Sequence, residues 1–87
     1  MKVIEIQNLL KKDIPLHYRN EYSGDVILET NQAVTLKKKL EFSLERRATG
    51  DLDIQIQFKD DIEYPLIPVI KTVKDYIIKL EKEGDLR

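Results

Sequence analysis

The side chains best suited to chemistry crowd into one short stretch, where His17, Tyr18, Arg19, Glu21 and Tyr22 stand almost side by side. A loop carrying aromatic and basic residues can stack on a ligand or a base and pair with a phosphate. The plainer role is structural: the two tyrosines pin the segment to a core while the charges stay in water. A single histidine in a chain with no cysteine gives weak grounds for catalysis or metal binding.

A second set is basic. Lys37, Lys39, Arg46 and Arg47 cluster along one stretch, and Lys37, Lys39 and Arg47 share an outward parity. With Tyr18, Arg19 and Tyr22 they are the candidates for a ligand or a nucleic acid. Glu41, Glu45 and Asp53 share the same parity and cancel much of the field. A third set, Asp60, Asp61 and Glu63, could in principle meet magnesium or calcium. No glycine-bearing calcium loop surrounds it, and Asp-Asp is ordinary turn composition.

No glycine-rich phosphate loop, nucleophile elbow or His-Glu metal motif occurs. With three glycines, one histidine and no cysteine, few catalytic schemes are open. No catalytic residue, metal ligand or cofactor is assigned. The formal net charge of -1 gives no general attraction for nucleic acid or an anionic membrane. No apolar run approaches the roughly 18–20 residues that span a bilayer. Glu5 interrupts the stretch where a signal peptide would be apolar. The expectation is one cytoplasmic domain over residues 1–87, too short for two.

The elements that position these groups are read from periodicity. Val34, Leu36, Leu40, Phe42 and Leu44 alternate with polar residues, and the alternation resumes at Leu52, Ile54, Ile56 and Phe58. A period of two puts one face in a core and the other in water. Ala48-Thr49-Gly50 fits a three-residue loop, with Gly50 as its left-handed residue. That register sets Leu44 against Ile54, Phe42 against Ile56, and Glu45 against Asp53 as a like-charge pair. Lys38 has the parity of the apolar face, either because the strand bends there or because an inward lysine guards an edge.

Val26 to Thr30 reads as the preceding strand, turning through Asn31-Gln32. A two-residue loop would pair Ile27 with Leu36; a longer one would place Val26 and Leu28 over the core. Residues 15–25 read as an ordered loop with turn chemistry at Ser23-Gly24-Asp25. In residues 3–12, Val3, Ile6 and Leu10, joined by Leu9, make a helical stripe, and the reading is a short helix. Leu66, Val69, Ile70, Val73, Ile77 and Leu80 form the stripe of a longer helix from about 65 to 83, stopped by Gly84. The tail after Gly84 is expected to be loose.

Ile67 and Ile78 sit together at one side of that stripe, so the apolar arc is wider than one sheet face needs. They are the candidates for contact with a protein partner.

The order helix, three strands, helix resembles that of double-stranded-RNA-binding domains. Those domains carry a lysine-rich start to their last helix and a histidine-bearing loop between the first two strands. The corresponding positions here read Pro65-Leu66-Ile67-Pro68-Val69 and Glu29-Thr30-Asn31-Gln32, so the resemblance assigns no binding residue.

The expected architecture is α+β: a three-stranded antiparallel meander, with room for a short fourth strand near 62–64, packed on a C-terminal amphipathic helix, plus a short N-terminal helix. The expected function is a small non-enzymatic interaction or assembly module that pairs with a protein partner or itself, homodimerisation being the favoured form. The alternative is a nucleic-acid-binding module using the basic hairpin face and the tyrosine segment.

Overall fold

The alternation from 34 to 58 becomes two paired strands, as its period demands. The computed structural model describes residues 1–15 and 18–86, so His17 lies outside the described residues. Four strands follow one another: β1 (Lys2–Lys11), β2 (Arg19–Glu29), β3 (Thr35–Arg46) and β4 (Leu52–Phe58). They form one antiparallel sheet in the order β1-β2-β3-β4, and α1 (Leu66–Lys82) covers one face.

The β3–β4 pairing sets Leu44 against Ile54, Phe42 against Ile56 and Glu45 against Asp53, as read from the loop. Gly50 takes a φ of 89°, and its N–H donates to the Arg47 carbonyl at 2.9 Å. The first hairpin uses the longer loop. Thr30 N–H donates to the Val34 carbonyl (2.9 Å), leaving Asn31, Gln32 and Ala33 as the loop, with Ala33 at φ 61°. Leu28 therefore pairs with Leu36, and Val26 and Leu28 are buried. Thr30 is buried too, its Oγ1 accepting from the N–H groups of Gln32 and Val34.

The N-terminal helix expected for residues 3–12 is not formed; the segment is the edge strand β1. The register against β2 shifts between Val3 and Glu5 and again between Gln7 and Leu10. Each irregularity adds a residue to the inward step. Val3, Ile6 and Leu9 therefore all pack against the core at a spacing of three, which imitates a helical stripe. Leu10 points away and is 66% exposed. The fourth strand is thus β1 and not a segment near 62–64. The likeness to double-stranded-RNA-binding order lapses with the helix.

Ser23-Gly24-Asp25 is not a turn either: it lies inside β2, paired without a break to β3. Gly24 serves close approach. A Cβ on it would stand 3.2 Å from the Gln7 carbonyl oxygen, where β1 leans across.

The core is built from Tyr22, Val26, Leu28, Leu40, Phe42, Leu44 and Ile54 of the sheet and Val69, Val73 and Ile77 of α1. Burying each such side chain contributes about 1.5–3 kcal/mol. Pro68 sits in the first turn of α1, where its missing N–H costs little. The helix ends with Gly84 at φ 76° and with Asp85 N–H donating to the Leu80 carbonyl at 2.9 Å. This cap returns Leu86 to the core, so the tail is docked at that residue.

Lys38 lies within an unbroken β2–β3 register, opposite Val26, and is half-buried on the helix side. β4 ends at Phe58, opposite Leu40, so no strand flanks Lys38 on that side.

Candidate functional site

The tyrosine and arginine residues of the first candidate set do not converge. Tyr18 is exposed, and its carbonyl accepts the Arg46 N–H at 3.0 Å. Arg19 lies on the face away from α1, with Nε 3.2 Å from a carboxylate oxygen of Glu21. That Nε is shielded from solvent, and the contact has ion-pair distance without hydrogen-bond alignment. Tyr22 points the opposite way into the core, 2% exposed, and its ring stacks on Phe42 with centroids 5.0 Å apart. Burial, and then the charge of Glu81, raise its hydroxyl above the usual tyrosine range. A base cannot stack on a ring already sealed between sheet and helix.

The basic set divides as well. Lys37 and Lys39 are exposed near one end of the sheet's outer face. Arg47 is at the other end, roughly 25 Å along the strand. There it holds Asp53 at 3.3 Å and relieves the like-charge pair with Glu45. The Asp53 carboxyl lies below its usual range, chiefly through a hydrogen bond from Gln55 and then through Arg47. Arg46 faces the helix side and pairs with Glu81 at 3.0 Å.

Between these ends the outer face is a polar depression of about 300 Å³, lined by Lys12, Arg19, Glu21, Glu41, Ser43 and Gln55 among others. Glu41 is engaged from both sides, by Lys12 just after β1 and by Lys59 just after β4 (2.7 Å). The charges of this face satisfy one another.

Asp60 has a structural task. One of its carboxylate oxygens accepts the Lys39 N–H at 2.7 Å, continuing the β3–β4 ladder one step past the Lys59–Lys39 bond. Asp61 and Glu63 are exposed. Among the described residues, no group of three or more histidine, cysteine, aspartate or glutamate side chains is placed to hold a metal ion.

The apolar candidates lie on α1. Ile67 is 83% exposed, whereas Ile78 is partly buried against the core. Around Ile67, Leu66 is 49% exposed and Tyr64 is exposed as well. Leu66 and Ile70 line a groove with Ile56, Phe58 and Ile62, which places this flank of the helix along β4.

The backbone of β4 completes this surface. Arg47 N–H donates to the Asp51 carbonyl and Lys59 N–H to the Lys39 carbonyl, both at 2.8 Å. Odd-numbered residues of β4 therefore turn their backbone groups to β3. Leu52, Ile54, Ile56 and Phe58 turn theirs to the open side. Among the described residues, no strand lies beyond them. Ile67 is legible in the sequence from its angle on the helix. The open edge is not, because which strand is outermost depends on where β1 goes.

Fold and surface together define a small α+β domain, an antiparallel four-stranded meander under one C-terminal helix, with an open edge strand beside an exposed apolar helix start. No helix among the described residues is long and apolar enough to cross a membrane. The chain belongs to the BB_0187 family, whose model matches residues 1–82. No curated protein and no solved structure matches it.

Proposed function

We propose that the protein is a non-enzymatic interaction module of the cytoplasm that assembles with copies of itself. The supporting observation is the continuous surface made by the unpaired edge of β4 and the exposed start of α1, with Tyr64, Leu66 and Ile67 at its centre. Unpaired backbone groups and clustered apolar side chains both gain by being covered. The division of the basic set between two ends and two faces of the sheet weakens the nucleic-acid alternative.

Light scattering on the purified chain tests the reading. A mass above one protomer is expected, and Ile67→Glu is expected to lower it while leaving the circular dichroism unchanged. A wild-type mass of one protomer at high concentration would refute it. Salt-sensitive retention of RNA or DNA by that monomer would support the nucleic-acid reading instead.

A further inference from the structure

We infer that β4 pairs antiparallel with β4 of a second copy about a two-fold axis at Gln55, joining two sheets into one of eight strands. This pairing rests on the assembly reading and specifies its partner and its register.

The two outer strands differ. β1 is interrupted by two register shifts and carries Asn8 at φ 54°, which disrupts an edge as a template. β4 runs without a break from Leu52 to Phe58. Its outward backbone groups belong to Leu52, Ile54, Ile56 and Phe58, so these residues supply the hydrogen-bonded pairs of any added strand.

The side chains of β4 are complementary to themselves in this register. Centring on Gln55 sets Ile54 against the partner's Ile56 and Leu52 against the partner's Phe58, all on the helix side. On the outer face Asp53 meets the partner's Gln57, and Asp51 meets the partner's Lys59. Every charged residue then faces a neutral amide or an opposite charge, and the whole strand is used. Cross-strand pairs of these kinds are the favourable ones.

The helices add area. A two-fold axis normal to the sheet puts both copies of α1 on one side of it. The apolar groove of Ile56, Phe58, Ile62, Leu66 and Ile70, about 390 Å³, then borders the seam from each copy. A seven-residue strand edge alone falls short of the roughly 1,200 Å² of a lasting interface, and the helix flanks supply the remainder.

The chain has no cysteine, so Gln55→Cys introduces a single thiol on an exposed, outward-facing site. At the axis the two thiols form a non-hydrogen-bonded pair with Cα atoms about 4.5 Å apart, within disulfide reach. Mild oxidation of the full chain is expected to give a reducible covalent dimer for Gln55→Cys and none for Gln57→Cys. Gln55→Lys and Gln55→Glu should each raise the dissociation constant several-fold, and mixing the two variants should restore the dimer. A one-protomer mass for the wild-type chain overturns both this pairing and the assembly reading. A dimeric mass with no Gln55→Cys cross-link and no response to Gln55→Lys overturns the edge pairing alone. Cross-linking through Gln57→Cys in place of Gln55→Cys overturns the register.

Discussion

A Cβ on Gly24 would stand 2.9 Å from Cγ2 of Ile6, closer than such atoms can approach. The glycine lets β1 lean over β2 where the edge strand shifts register, and Ile6 fills the space that a side chain would take. Gly24→Ala is therefore expected to destabilise the fold by about 1–3 kcal/mol. Part of the clash is with backbone, the Gln7 carbonyl oxygen, which cannot swing aside as a side-chain tip can. Urea unfolding of the variant checks this. An unchanged midpoint would mean that β1 moves away at no cost.

The two hairpin loops make opposite forecasts. Ala33 holds a left-handed φ of 61° where a glycine would rest without strain. Ala33→Gly should stabilise by about 0.5–1 kcal/mol, relieved strain outweighing the added freedom of the unfolded chain. At Gly50 open space surrounds the Cα, so nothing would clash with an added methyl, yet φ is 89°. Gly50→Ala should destabilise by about 1 kcal/mol through backbone strain alone. Thermal melts of the pair should move in opposite directions.

Asp60 acts as an extra rung of the ladder between β3 and β4. Removing its carboxylate in Asp60→Ala leaves the Lys39 N–H to solvent and should cost about 1 kcal/mol. Amide exchange at Lys39 should quicken while that of Phe42 holds steady. Equal protection at Lys39 in both proteins would show that the rung does not hold in solution.

Base should unfold the domain through its buried tyrosines. The Tyr22 hydroxyl is raised first by burial and then by Glu81; Tyr76 is raised by burial and then by Glu5, Asp85 and Glu83. A folded-state value above the unfolded one leaves stability intact below about pH 10. Above that, the unfolded chain releases protons that the native state retains, so stability falls as pH rises through the folded values. Tyr22→Phe keeps the ring on Phe42 and should shift the alkaline unfolding midpoint upward, as followed by circular dichroism. No shift would assign the alkaline loss to Tyr76.

Local pattern carried a large part of this architecture. The alternation of Val34 to Leu44 and Leu52 to Phe58, with Gly50 between, specified a hairpin and its register, because strand period and loop geometry are properties of neighbouring residues. The stripe of Val69, Val73 and Ile77, bounded by Pro65 and Gly84, specified the helix for the same reason. Ile67 stood out as an apolar residue beyond the width of that stripe.

Tertiary pairing decided the rest. Val3, Ile6 and Leu9 have a helical spacing, but two register shifts against β2 make that spacing inward-facing in a strand, and no local signal separates the two. Gly24 resembles turn chemistry until β1 is seen lying over it. Tyr22, at the centre of the most reactive-looking stretch, is a core residue because its strand parity, set by pairing with Phe42, turns it under the helix. The open edge of β4 exists only because β1 joins the sheet at the far side, beside β2, a choice made by contacts between residues distant along the chain.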